Sequence, residues 1–260
     1  MNLTKIEKTL WAGKELYYFK TIDSTNKKAL ESAKNGCSHG TLVVAEKQEA
    51  GKGRRGRSWS SQEGTGIYMS LVLRPKLATE RAAGLTLVAA LAVAKAIETV
   101  SQIVPQIKWP NDIVINKKKV CGILTEMSLE GTQIASVIVG IGVNVHQKEF
   151  PEELAGSENY RDWETGSYHA RSCLIETILR YVETYYDKYI ETGNLSLMQQ
   201  EYETYLANKD EKVKVLDPAG EYNGIARGIT VNGELIVDTE SKRHHVSSGE
   251  VSVRGIYVYV

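Results

Sequence analysis

The feature that most limits what this chain can fold into is a change of pattern near Asn208–Asp210. Before that point, apolar strands alternate with helical stretches. From Lys212 onward there are only short strands set apart by turn signals: KVKVLD, EYNGIARGITV, GELIVD and RHHVSSGEVSVRG. Asn232-Gly233, between two apolar runs, is a hairpin signal, because both residues accept the positive φ of a two-residue turn. The expectation is an α+β protein in two parts: a mixed sheet with helices on one face over residues 1–208, then a small β-barrel over 209–260. With 260 residues the chain is long enough for one substantial core and a smaller module.

Within the first part, LYYFKTI (16–22) reads as a strand. Asp23, Ser24 and Thr25 then offer capping oxygens to a helix, NKKALESAK, that stops at Asn35-Gly36. Strands are expected over Thr41–Gln48 and Ile67–Arg74, and a buried helix over Glu80–Val100. Gln106–Met127 reads as two strands meeting at a tight Asn116-Lys117 turn, and Gln133–Val145 as a central strand. Amphipathic helices follow over Tyr168–Glu191 and Leu195–Leu206.

Charge removes some functions. Lys plus Arg and Asp plus Glu balance at 32 each, so no global basic field draws the chain to nucleic acid. The three cysteines (Cys37, Cys121, Cys173) form no C-x-x-C and no metal-type spacing with the five histidines. The N-terminus lacks the apolar core of a signal peptide, and no apolar run is expected to reach the ~18 residues of a membrane span. The expectation is a cytoplasmic protein without a membrane or nucleic-acid partner and without a protein-held metal.

Against this neutral background stands GKGRRGRSW, 51–59, with four cations (Lys52, Arg54, Arg55, Arg57) among three glycines. Its first six residues match G-x-G-x-x-G. A dinucleotide fingerprint, however, needs a helix opening at the third glycine, and here RSWSSQEGTG leads into a strand. A solvated basic loop is the plain alternative. Interleaved glycine favours a loop that closes over a ligand and offers cations and backbone N–H groups to a phosphate or carboxylate.

Further clusters accompany the loop. Asp23-Ser24-Thr25-Asn26 places small hydrogen-bonding groups at a strand end. Lys108-Trp109-Pro110-Asn111-Asp112, with Lys119 and Gly122-Ile123-Leu124 after it, sets cation, amide and carboxylate on a hairpin. Gly140-Ile141-Gly142-Val143-Asn144 lets a ligand approach the backbone. Each has a structural alternative alone: a helix cap, a proline turn, a sheet bulge.

Together, STN (24–26), Gln48, GKGRRGRSW (51–59), KWPND (108–112), Lys119 with GIL (122–124), GIGVN (140–144) and GEVSVRG (249–255) resemble the biotin protein ligases, biotin–[acetyl-CoA-carboxylase] ligases of the short kind. The motifs come in the family's order and span nearly the whole chain. One departure is Lys52, where many members carry Arg. The charge is kept and the bidentate fork is lost.

The resemblance implies the biotin/lipoate ligase fold and a two-step reaction. ATP with Mg²⁺ activates biotin as biotinyl-5′-AMP, and a lysine of a biotin carboxyl carrier domain takes the biotinyl group. Biotin is a substrate, and no tightly bound prosthetic group is expected. Lys119, Arg54 and Asp112 are the catalytic candidates, with Asp112 either orienting the incoming lysine or holding the loop. Ser24, Thr25, Asn26, Gln48, Lys52, Gly53, Arg54 and Lys119 are expected at biotin. Arg54, Arg55, Arg57, Trp59, Asn111 and Asn144 are expected at the nucleotide.

Trp109 reads as a packing anchor, and His146, His244 and His245 as structural or surface residues. The C-terminal module is expected to dock the carrier or to reach back to ATP. The family's longer members carry a winged helix-turn-helix. Motifs that begin near residue 23 imply a ligase without operator binding, with homodimerisation left open. A lipoate-type ligase and a noncatalytic nucleic-acid binder are the rival readings.

Overall fold

A computed structural model describes residue 3 and residues 5–146, 170–217, 220–248 and 252–255. The first part is a seven-stranded sheet in the order β1-β2-β3-β7-β6-β5-β4. Its strands are β1 (Leu16–Ile22), β2 (Leu42–Gln48), β3 (Gly66–Leu73), β4 (Gln106–Lys108), β5 (Asp112–Ile115), β6 (Lys118–Glu130) and β7 (Gln133–Asn144). Only β1 and β2 run parallel, joined by the crossover helix α1 (Thr25–Lys34); every other neighbour is antiparallel.

Alternation along the strands decides what covers each face. Leu42, Val44, Met69, Leu71, Val139 and Ile141 point to the main core, where α2 (Gly84–Ser101) and α3 (Arg171–Thr192) lie. Val43, Val72 and Ile138 point the other way and meet Ala29 and Ala33 of α1. The expected helical layer thus covers one face through α2 and α3, and α1 covers part of the other. On the rest of that second face Gly122, Gly140 and Gly142 add no side chains of their own, which leaves room above a floor of backbone.

Helix α2 shows why apolar length alone misleads. Thr79–Ser101 is long and apolar enough to cross a membrane, contrary to the expectation that no such run exists. Its position explains the composition: twelve residues of α2, Gly84 to Ile97, are buried between the sheet and α3.

The stretch 106–127 holds three strands where two were expected. Trp109 turns into the core, 1 % exposed, where its backbone N–H donates to Asn208 Oδ1 (2.8 Å) and its Nε1 donates to Gly233 O (3.0 Å). Residues 109–111 thus form the turn of a hairpin in which Lys108 pairs with Asp112, which divides the expected first strand into β4 and β5. Asn116 and Lys117 then reverse the chain with φ of 50° and 64°, as a tight hairpin turn requires. The last helix is shorter than expected: α4 spans Gln199–Tyr205.

The second part is an antiparallel sheet in the order β11-β10-β9-β8-β12, from β8 (Lys212–Asp217), β9 (Gly220–Ile229), β10 (Leu235–Asp238), β11 (Arg243–Val246) and β12 (Ser252–Gly255). A small barrel was expected, and among the described residues the module is a small antiparallel sheet with β11 and β12 at its edges. It is joined to the first part through Trp109 on Gly233 and through Leu195 N–H on Val231 O (2.7 Å).

Candidate active site

The bare floor on the α1 face becomes a pocket because two loops wall it in. Strands β1 and β2 end side by side, Ile22 opposite Gln48. From those ends come the N-terminus of α1 and the basic loop. Ser24, Thr25, Asn26, Gln48, Lys52, Gly53, Arg54, Trp59, Asn111 and Lys119 line the pocket, over a floor that includes Met69, Gly122, Ile123, Leu124, Gly140, Ile141 and Gly142. It holds about 450 Å³ between its lining atoms, part of it open to solvent.

One end of the pocket is neutral and rich in hydrogen-bonding groups. Ser24 caps α1, its Oγ accepting from Lys27 N–H at 3.5 Å. Gln48 Oε1 accepts from Thr25 N–H (2.8 Å) and from Thr25 Oγ1 (3.1 Å), while Gln48 Nε2 donates to Ser61 Oγ (2.9 Å). These bonds hold the ends of β1 and β2 in one rigid frame.

The other end is cationic. Lys119 Nζ lies 2.9 Å from Asp112 Oδ1, both side chains mostly buried, and 5.1 Å from the centre of the Trp59 ring. Arg54 donates to Asn111 Oδ1 (2.8 Å) and to the Ser248 carbonyl (2.5 Å). Asn111 Nδ2 in turn donates to Ile123 O (3.0 Å) and Asp112 Oδ1 (3.1 Å). Burial pulls the Arg54 pKa below its ordinary value, and Asp112 nearby opposes that shift. Two half-buried cations thus stand close to a single carboxylate, an arrangement suited to an incoming anion.

Trp59 lies across the glycines. A Cβ on Gly142 would come within 2.5 Å of its Cε2, and one on Gly122 within 2.8 Å of its ring. Its Nε1 is buried with no hydrogen-bond partner among the described residues. The loop around it is a small hairpin, with Lys52 paired to Ser58 and Gly53 N–H on Arg57 O at 2.7 Å. Arg55 takes φ 58° at its tip.

Not every residue singled out from the sequence reaches this pocket. Arg55 lines a second cavity, which shares Arg54, Ile123 and Leu124 with the first and also touches Met127 and Ser248. Arg57 is exposed and lines neither cavity. Asn144 is buried at the end of β7, opposite Gly66 and outside the pocket lining. Trp109 is a core anchor, and His244 stacks on Tyr222 at 4.4 Å. Gly249, Glu250 and Val251 of GEVSVRG lie outside the described residues.

Sequence reading missed four contributors: Ser61, Ser70, Glu126 and the Ser248 carbonyl. Ser70 left one signal, a small hydroxyl inside the apolar run IYMSLVL. The others left none, because only the fold brings them near.

The chain is similar to known proteins over most of its length. Residues 18–144 match the biotin/lipoate A/B protein ligase family, and residues 210–254 match the biotin protein ligase C-terminal domain. The bifunctional ligase/repressor BirA of Bacillus spizizenii is 40% identical over 248 residues, which is 95% of this chain and 76% of that protein. The biotin–[acetyl-CoA-carboxylase] ligase of Paracoccus denitrificans is 33% identical, over 90% of this chain and 98% of its own. Among solved structures, the Aquifex aeolicus biotin protein ligase in complex with biotin and ATP superposes with a TM-score of 0.82. It is 34% identical, over 93% of this chain and 99% of that one.

Proposed function

The chain belongs to the biotin protein ligase family, and from that premise we infer that it is an ATP-dependent ligase that joins biotin to a lysine of a biotin carboxyl carrier domain. The observation that carries the reading is the polarity of the pocket. A neutral, hydrogen-bonding end fits a urea ring, and a cationic end beside it fits a carboxylate meeting a phosphate.

A carboxylate does not acylate an amine at neutral pH, so it is first activated. One biotin carboxylate oxygen attacks the α-phosphorus of ATP, pyrophosphate leaves, and biotinyl-5′-AMP remains. The lysine amine then attacks the acyl carbon, AMP leaves, and the amine proton passes to solvent. Both anions carry negative charge into the first step, and Lys119, held at the junction by Asp112, offsets it. This assigns Asp112 the task of aiming Lys119.

Ser24, Thr25, Asn26 and Gln48 receive the ureido ring, with Lys52 and Gly53 closing the biotin side. Arg54 and Asn111 hold the nucleotide phosphates, and Arg55, Arg57 and Trp59 follow as the loop closes on the nucleotide. Asn144 serves the adenine end from the close of β7. Among the described residues no three His, Cys, Asp or Glu side chains form a metal centre. ATP is taken as its magnesium complex, with magnesium part of the nucleotide substrate.

We take the division at 208/209 as the domain boundary and the cytoplasm, where ATP and carboxylases meet, as the place of action. The test is transfer. The protein is incubated with ATP, a purified biotin carboxyl carrier domain, and either biotin or lipoate, and the carrier is weighed by mass spectrometry. One biotinyl group on one lysine, with no lipoyl product, is expected. A lipoyl product without a biotinyl one would move the protein to the lipoate reading.

A further inference from the structure

We infer that Ser70 and Glu126 are positioning residues: through Asn26 they fix the direction of the Thr25 hydroxyl and leave Thr25 as an acceptor for a ureido N–H of biotin. The inference rests on the biotin-ligase reading and goes one layer deeper into the same site.

Ser70 is fully buried in β3, a strand otherwise made of Gly, Ile, Tyr, Met, Leu and Val. Its Oγ lies 2.6 Å from Asn26 Oδ1 and 2.8 Å from Thr25 Oγ1. On its far side Asn26 sends Nδ2 to Glu126 Oε2 (2.7 Å) and to the Leu124 carbonyl (3.3 Å). The amide can lie across the sheet in this way because Ser70, Gly140 and Leu124 are register partners on β3, β7 and β6. A Cβ on Gly140 would stand 2.0 Å from Asn26 Oδ1. The first glycine of GIGVN thus makes room for the Asn26 amide.

The chemistry of each group sets the polarity of the chain. A carboxylate accepts and does not donate, so Glu126 turns the Asn26 NH₂ toward itself and the Asn26 oxygen toward Ser70. Ser70 gives its proton to that oxygen, and its lone pairs face Thr25. Gln48 Oε1 is fixed as an acceptor by the Thr25 backbone N–H. The Thr25 hydroxyl therefore meets acceptors on its protein side, Ser70 Oγ and Gln48 Oε1, and its proton is held there. A lone pair is left toward the pocket. A urea ring presents two N–H donors, and an acceptor of fixed polarity is what they require.

The test uses the full chain with Ser70→Ala and, separately, Glu126→Gln, which replaces an acceptor with a group that also donates. ATP–pyrophosphate exchange is measured against biotin and against ATP, with circular dichroism to verify folding. In Ser70→Ala the KM for biotin should rise about tenfold, the equivalent of about one hydrogen bond. Glu126→Gln should move in the same direction. In both, kcat should stay within about twofold of wild type and the KM for ATP should not change. Glu130→Gln, on the same strand and away from these bonds, should leave the KM for biotin unchanged.

A wild-type KM for biotin in either folded variant overturns the inference. So does an equal rise in both KM values, which would mean a loosened pocket. If the wild-type chain shows no biotin-dependent exchange at all, the functional reading itself has failed, and that result is distinct from failure of the positioning alone.

Discussion

At the scale of single residues, Arg54 has the most exposed consequences. It holds Asn111 on the sheet and the Ser248 carbonyl on the second module, so it closes the cationic end of the pocket from above. A charge-assisted contact contributes roughly 1.5–3 kcal/mol, so its loss should speed escape of the acyl-adenylate about 10- to 100-fold. In Arg54→Gly, released biotinyl-AMP should label lysines of a bystander protein, read on a blot for biotin. Wild-type labelling by a variant that still makes adenylate would remove Arg54 from the clamp. Lys52, Arg54, the STN cap and Lys119 were legible as pocket residues because their chemistry is unusual in a loop or strand, whereas Arg55 and Arg57 carry the same charge and lie outside this pocket. Asp112 was legible as a residue and not as a role, since its distance to Lys119 depends on how β5 and β6 pair.

At the scale of elements, the pocket exists because strands end together and glycines leave room on one face. In β7, Gly140→Ala should drive a methyl into the Asn26 amide. Overpacking of this kind costs about 1–3 kcal/mol, and biotin affinity measured by calorimetric titration should fall roughly tenfold or more. Unchanged affinity would mean that α1 shifts freely on the sheet.

The start of β1 is pinned in another way. Glu15 accepts from the Ser38 backbone N–H, from Tyr17 and from Thr41, which lowers its pKa to about 2 against a small opposing effect of burial. Its folded pKa lies below its unfolded value, so its contribution is complete above the ordinary carboxylate pKa and fades as pH falls toward about 2. Glu15→Gln should therefore be less stable than wild type at neutral pH, and the gap in urea midpoint should narrow as pH falls through that window. A constant gap would contradict the assignment.

Boundaries of β1, β2 and β8 could be read closely from alternation and turn residues. The break inside 106–127 could not, because the partners that pull Trp109 inward, Asn208 and Gly233, lie far along the chain. The strands of the last module could be read from their turn residues; how its edges pair could not, because edge pairing leaves no local mark.

At the scale of the whole molecule, the two parts share a seam. Trp109 Nε1 on Gly233 joins KWPND to the β9–β10 turn, and Arg54 on Ser248 joins the basic loop to the same module. The basic loop that walls the cationic end of the pocket is thus tied to the second module. Trp109→Phe keeps the apolar ring and removes the bond, about 1 kcal/mol, so the melting temperature should fall by about 2–4 °C in scanning calorimetry. No shift would show that the seam is held elsewhere.

The account as a whole claims that one pocket recognises biotin at its neutral end and adenylates it at its cationic end. ATP–pyrophosphate exchange reads that claim most directly, with biotin, with lipoate and with neither, for the wild-type chain and for Lys119→Ala. Exchange should appear with biotin and be absent with lipoate or without either acid. In a Lys119→Ala variant of native circular dichroism it should drop by about 100-fold or more, the usual effect of losing a fixed charge stabiliser. Exchange driven equally by lipoate, or kept at the wild-type rate in folded Lys119→Ala, would contradict the account.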